Sequence, residues 1–290
     1  MADTAIEWTE KTWNPTTGCD KVTPGCDNCY ALTLAKRLKG MGAEKYQKDG
    51  DPQTSGPGFG ITEHPASLTI PHSWRKPQKV FVNSMSDLFH KGISDEFIAK
   101  VFAVMAATPR HTYQVLTKRH GRMRSLLGND GQILLEATQD EATAQALYDA
   151  GWPLPNVWLG VSVEDQKRAD LRIPALLDTP AAVRFLSCEP LLGPVLLRNW
   201  VLPHCGCCTP LLGRSCVNDP GAVSVDWVIA GGESGSGFRP LNLDWVRSLR
   251  DQCVEAEVAF LFKQVGGRTP KAGGRELDGR TWDEYPERVA

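Results

Sequence analysis

NVWLGVSVEDQKRADLRIPALL, residues 156–177, decides the fold class. Its first part, NVWLGVS, is an apolar run rich in β-branched and aromatic residues. Such a run reads as a strand covered on both faces, as in a parallel sheet under helices. Its second part, EDQKRADLRIPALL, opens on charge and continues as a helical pattern. The same unit recurs outward in both directions. Strand-like segments are KVFVNS (79–84), HTYQVLT (111–117), VRFLS (183–187), VDWVIAGG (225–232) and VAFLFK (258–263), with a first strand near Thr12–Pro15. Helical patterns alternate with them: one from about Asp27 to Leu38, SDEFIAKVFAVMAAT (94–108) and LDWVRSLRDQCVEA (243–256). The second of these offers Ser94 as N-cap and sets Phe97, Ile98, Val101, Phe102 and Met105 on one face. Alternation of this kind predicts an α/β protein, either a barrel or an open doubly wound sheet. No G-x-G-x-x-G opens a helix after a strand, so a dinucleotide-binding fold has no direct support.

Three stretches interrupt the pattern. Residues 49–65, DGDPQTSGPGFGITEHP, read as a long loop or lid in which Phe59 could stack on a base. Residues 198–224 form a Cys-rich insertion, and residues 266–290 a polar, loosely structured tail folded over the barrel. The expected organisation is one domain over 1–265 followed by that tail. The net charge of −2 provides no global basic field, so nucleic-acid binding would need a local patch. MADTAIEWTEKTW has no apolar core of a secretory signal, and no apolar run reaches the ~20 residues of a membrane span. These features predict a cytoplasmic protein without a membrane partner.

Active sites of parallel α/β proteins form at the C-terminal ends of the strands. Here those ends carry Asn83-Ser84-Met85-Ser86-Asp87, Thr117-Lys118-Arg119, Ser162-Val163-Glu164-Asp165, Ser187-Cys188-Glu189-Pro190, Gly231-Gly232-Glu233 and Lys263-Gln264. Any one such turn is an ordinary helix cap. All of them together predict a polar barrel mouth on which Lys118, Glu164, Glu189, Glu233 and Lys263 converge. Gly231 and Gly232 would allow a flat ligand to approach the backbone.

The chain has nine cysteines, and in a reducing compartment clustered cysteines read first as metal ligands or catalytic thiols. Cys19, Cys26 and Cys29 lie in TTGCDKVTPGCDNCYA (16–31), directly after the first strand. Three thiolates fit a zinc site completed from a distance by His64 or His90. They equally fit a four-iron cluster with one iron left open for a ligand. A second group, HCGCCTPLLGRSC (204–216), offers His204, Cys205, Cys207, Cys208 and Cys216. Its spacing matches no common zinc-ribbon pattern; a small zinc site, an auxiliary iron–sulfur cluster and a metal-free insertion all remain open.

Taken together, EWTEKTWNPTTGC, PGCDNCYA, VFVNSMSDLFH, VLTKR, WLGVSVEDQ, CEPLLGP and WVIAGGESG resemble a phage-associated three-Cys-motif family of the radical S-adenosylmethionine superfamily. NSMSDLF, LTK and EPLL are similar, more distantly, to turns of spore photoproduct lyase-like proteins, a DNA-repair group. The first gap of the cysteine motif is six residues where the superfamily usually has three, and Asn28 replaces an aromatic residue, with Tyr30 after the third cysteine. The resemblance implies a partial or near-complete parallel (βα) TIM-type barrel and a 4Fe-4S cluster on Cys19, Cys26 and Cys29. It further implies S-adenosyl-L-methionine as cofactor, a 5′-deoxyadenosyl radical as reactive species and a protein electron donor. By position, Asn83, Ser84 and Asp87 would meet the cofactor's amino group, and Ser162 and Glu164 its ribose. Gly231, Gly232 and Glu233 would line the adenine or the substrate, and Lys118 and Glu189 would contact the cofactor carboxylate or the substrate.

A nucleic acid or nucleotide is the expected substrate, on the DNA-repair likeness and on Lys118, Arg119, Arg122, Lys167 and Arg168 near the mouth. The rival reading is a non-catalytic, zinc-stabilised nucleic-acid-binding protein built on the basic runs Arg75-Lys76, Lys118-Arg119-His120 with Arg122 and Arg124, and Lys167-Arg168, which also occur as solvated helix faces.

Overall fold

The computed structural model of the protein describes residues 4–201 and 223–287, apart from the side chains of Arg198 and Asn199. Most of the Cys-rich insertion, with His204, Cys205, Cys207, Cys208 and Cys216, lies outside the described residues. The chain divides into two compact units, residues 1–162 with 178–182, and residues 163–177 with 183–290.

The first unit contains β1 (Lys11–Trp13), β2 (Thr16–Thr17), α1 (Tyr30–Gly40), β3 (Thr62–Glu63), β4 (Lys79–Val82), α2 (Asp95–Ala107), β5 (Thr112–Thr117), α3 (His120–Leu127), α4 (Gln132–Glu136), α5 (Glu141–Ala150) and β6 (Val157–Ser162). Strands β1, β4, β5 and β6 pair in that order, all parallel. Every residue of β6 is buried, as its apolar run requires. Helix α2 begins as expected: the Ser94 hydroxyl accepts from the Phe97 amide at 3.2 Å, and Phe97, Ile98, Val101, Phe102 and Met105 are buried. Helix α1 starts at Tyr30 rather than near Asp27. Pro24–Cys26 form a separate single turn, and Cys29 is extended, with φ −62° and ψ 120°. That conformation ends one turn and begins the next, so the third cysteine sits at the helix entrance.

Residues 49–65 are not a free lid. The Thr62–Glu63 strand pairs antiparallel with Thr16–Thr17. Asp49 is ion-paired to Lys39 at 2.5 Å, and Asp20 accepts from the hydroxyls of Thr54 at 2.9 Å and Ser55 at 2.8 Å. Phe59, expected as a stacking platform, is 2% exposed and packs in a cluster with Ala31, Ala35, Tyr46 and Met85. An aromatic ring this large gains more from burial than from display.

The second unit contains α6 (Gln166–Leu177), β7 (Val183–Cys188), α7 (Arg198–Val201), β8 (Trp227–Gly231), α8 (Leu243–Glu255), β9 (Ala259–Gln264), β10 (Glu276–Leu277) and β11 (Arg280–Thr281). Strands β7, β8 and β9 are parallel and adjacent in sequence order. The segment after Gln264 is better fixed than its composition suggests. Phe262 donates its amide to the Trp282 carbonyl at 2.9 Å, and Leu277 and Trp282 are buried. Two apolar side chains and the backbone groups of β9 supply what the polar, Gly-rich sequence does not.

The coarser part of the expected fold therefore holds. The protein is α/β, and its parallel strands run in sequence order within each unit, without the reversal of a doubly wound sheet. Among the described residues no helix is long and apolar enough to cross a membrane. Phe59→Ala is expected to lower the unfolding free energy by about 3–5 kcal/mol in urea titration, because it empties the middle of the cluster beneath the cysteine loop.

Candidate metal centre

The chain leaving β1 is stitched to the chain leaving β4. The Asn83 amide donates to the Trp13 carbonyl at 2.9 Å, and the Gly18 amide to the Met85 carbonyl at 3.1 Å. The Asn14 side chain accepts from the Met85 amide at 3.0 Å and donates to the Ser84 hydroxyl at 3.1 Å. Gly18 has φ +88°, and a Cβ there would lie 2.3 Å from the Gly60 carbonyl oxygen. A glycine is thus required just before Cys19 both by conformation and by space. After Cys29, Tyr30 ties the start of α1 to the Ser84 carbonyl through its hydroxyl at 2.6 Å.

These turns enclose a cavity of about 150 Å³. Its walls include Cys19, Cys26, Cys29, Asn83, Ser84, Asp87, Lys118, Arg119 and Ser162. Whole-ligand sites occupy roughly 300–1,000 Å³, so this volume suits a compact inorganic group or one end of a larger ligand. The expected residues of the first unit are brought together here. Glu164, Glu189, Gly231, Gly232 and Glu233 fall in the second unit.

Thiol chemistry narrows what the cavity can be. Burial, aided by the Asp87 charge, pushes the Cys19 thiol up to about 12, against the pull of Arg119. Burial also raises the Cys29 thiol. Reactive cysteine nucleophiles have lowered values, so the shifts at Cys19 and Cys29 run in the opposite direction. A metal would deprotonate such thiols outright on binding. Among the described residues no group of three or more His, Cys, Asp or Glu side chains is arranged to hold a single metal ion. His90, an expected zinc ligand, is engaged at both nitrogens. Gly92 donates its amide to Nδ1 at 3.0 Å, so Nε2 of the neutral ring donates to Asp20 at 2.9 Å. His64 Nε2 lies 2.8 Å from the Thr17 hydroxyl.

Asp87 and Asn83 have opposite roles. The Asp87 carboxylate accepts from the Phe89 amide at 3.1 Å, the Thr117 hydroxyl at 2.7 Å, the Lys118 amide at 3.0 Å and Arg119 Nη1 at 3.3 Å. It is a structural acceptor, already filled, where the sequence suggested a contact to a cofactor amine. Asn83 is 3% exposed, lines the cavity and adopts φ 66°. Neither its amide oxygen nor its amide nitrogen has a hydrogen-bond partner among the described residues. A buried amide left without partners is costly and is normally satisfied. Here the unpartnered amide belongs to a residue of the cavity wall.

The second-unit residues are committed locally. Glu164 is buried against Arg172 at 2.9 Å. Glu233 is clasped by Arg239, whose amide reaches it at 2.8 Å and whose Nε reaches it at 3.0 Å. Glu189 pairs with Lys263 at 3.0 Å. Gly231 faces the Glu189 carboxylate, and a Cβ on Gly232 would lie 2.1 Å from the Val265 carbonyl oxygen. Both glycines therefore serve close packing within the protein, where the sequence suggested approach of a flat ligand.

Sequence reading missed Asn14 and Asp20, and also the contacts of two residues it placed at the mouth, Thr117 with Asp87 and Arg119 with the cysteine loop. Arg119 Nη1 lies 3.3 Å from Cys19 Sγ, and Nη2 donates to the Asp20 carbonyl at 3.4 Å. No spacing rule links a cysteine to an arginine a hundred positions away. Asp87→Ala is expected to destabilise the fold by roughly 1.5–3 kcal/mol, since two amides and a guanidinium lose a charged acceptor. Thermal and urea unfolding of the metal-free protein checks this.

Over 104 residues the chain is 31% identical to the EKC/KEOPS complex subunit bud32 of Aspergillus oryzae. That stretch covers 34% of this chain and 37% of the relative, so the chain spans little more than a third of the relative's length. No solved structure matches. The family described as "Protein of unknown function (DUF5131)" matches residues 3–286, a span that includes every wall of the cysteine cavity, and the chain belongs to that family.

Proposed function

We propose that the protein is a radical S-adenosylmethionine enzyme whose four-iron cluster is held by Cys19, Cys26 and Cys29. The observation that carries this reading is the meeting, in one cavity, of three thiols with a buried asparagine amide that has no partner. Each thiolate of a cluster binds its own iron, so the three sulfurs need not converge on a point as around zinc. When bound, the cluster held by Cys19, Cys26 and Cys29 would supply one electron, received from a donor protein, to S-adenosylmethionine. The parallel strands in sequence order, with a cysteine loop after the first, suit the (βα) barrel of this class.

The chain's own residues then bind and orient. Asn83 offers an acceptor to the cofactor's ammonium and donors to its carboxylate, which would satisfy both orphaned atoms. Ser162 and Lys118 stand at the same cavity, the first as a hydroxyl and the second facing an anionic group of cofactor or substrate. Ser84 and Asp87 position the turn. A nucleotide is the substrate class that Lys118 suits. Support for a nucleic-acid polymer, and for the zinc-stabilised binding protein, is weaker. Arg122 is tied to the His90 and Ile93 carbonyls and to Asp95, and Arg168 to Asp165 at 3.0 Å.

Two measurements test the reading. Anaerobically reconstituted protein should be brown and hold four irons at this site, and the Cys19/Cys26/Cys29 triple alanine variant should lose them while staying folded. Full iron retention in that variant would reject the assignment. Asn83→Ala should weaken calorimetric binding of S-adenosylmethionine roughly tenfold, or ~1.4 kcal/mol. The same change should alter the stability of the metal-free protein little, because deleting buried polar atoms that lack partners offsets the strain of alanine at φ 66°. Unchanged affinity would remove Asn83 from the cofactor site.

A further inference from the structure

We infer that Arg119 sets the reduction potential of the iron–sulfur site by donating a charged hydrogen bond to the sulfur of Cys19; this rests on the cluster reading above. Arg119 has a 14% exposed side chain, and its Nη1 lies 3.3 Å from both Cys19 Sγ and Asp87 Oδ2. Nη2 reaches the Asp20 carbonyl at 3.4 Å, and the Arg119 amide donates to the Thr117 hydroxyl at 2.8 Å. That hydroxyl in turn donates to Asp87 at 2.7 Å. The guanidinium is therefore fixed at its backbone, at its carboxylate and at the loop it serves.

The chemistry of the contact gives it a direction. A thiol sulfur is a weak acceptor and a metal-bound thiolate a strong one, so a cation placed on this sulfur favours negative charge there. Reduction adds one electron to the cluster and breaks no bond, and the added charge spreads onto the sulfurs. Hydrogen bonds to those sulfurs and a poorly screened positive charge stabilise the reduced form, which raises the potential. The arrangement is asymmetric: the Cys26 sulfur faces the neutral Thr23 hydroxyl at 3.9 Å. Asp87 opposes the effect, because its charge also lies near Cys19. Removing Arg119 would expose Cys19 to that carboxylate without compensation, so the loss should exceed that of a neutral hydrogen bond.

The experiment is an anaerobic redox titration, followed by electron paramagnetic resonance, of reconstituted full-length protein. Arg119→Gln removes the charge. Arg119→Lys keeps the charge but cannot bridge sulfur and carboxylate as the fork does. At the wild-type midpoint, Arg119→Gln should lower the reduced-to-oxidised ratio about tenfold, a shift of about 59 mV for one electron, with Arg119→Lys between the two. Iron content should stay at the wild-type value in both. A fully loaded Arg119→Gln protein with an unchanged midpoint would overturn the inference while leaving the cluster reading intact. If Arg119→Gln fails to hold the cluster, a loaded Arg119→Lys protein with an unchanged midpoint would overturn it equally. Iron loss in both variants would make Arg119 a structural residue and overturn it as well. Wild-type protein that takes up no iron would remove the cluster reading and this inference with it.

Discussion

The carboxylate of Asp87 is the interaction on which the first unit's site depends. It sits in the turn after β4, yet most of its partners come from the end of β5: the Thr117 hydroxyl, the Lys118 amide and the Arg119 guanidinium. Parallel strands give no local reason for their C-terminal turns to adopt one arrangement. A buried charge does, because it must collect several donors to offset its lost hydration. Asp87 gathers those donors across two turns, and Arg119 carries the constraint onward to Cys19. A second chain of contacts holds the same loop from its other side. Gly92 sets the His90 tautomer, His90 holds Asp20, and Asp20 also holds Thr54 and Ser55.

Within that frame the cavity concentrates groups at odds with burial in the protein alone. Burial raises two thiols, and among the described residues Asn83 finds no partner for either polar end of its side chain. Asn83 also holds a left-handed backbone conformation, which asparagine tolerates better than most residues. A packed core would replace these groups by apolar ones at no loss. Their joint presence is the physical ground for the ligand proposed there. Polar residues in the turns after β6, β7 and β8 behave differently. Glu189, Glu233 and Glu164 each have a cation of the same unit in contact.

The sequence by itself determined the parallel α/β class, because continuous apolar runs alternating with helical patterns have few other solutions. It located α2 and its cap, since a serine before an apolar stripe acts locally. It also placed the three cysteines after β1, because strand and loop adjoin in the chain. Only the tertiary structure decided what each polar residue does there. Asp87 and Asn83 are four positions apart and equally polar on paper, but the side chain of one is filled mainly by distant donors and that of the other has no partner among the described residues. Phe59 could serve as lid or core until the loop carrying it paired with Thr16–Thr17. Arg119 could face solvent or sulfur, and its choice follows from Asp87, thirty-two positions away. Such roles depend on burial and on which charges come within contact distance, and both arise only when strands far apart in the chain lie side by side.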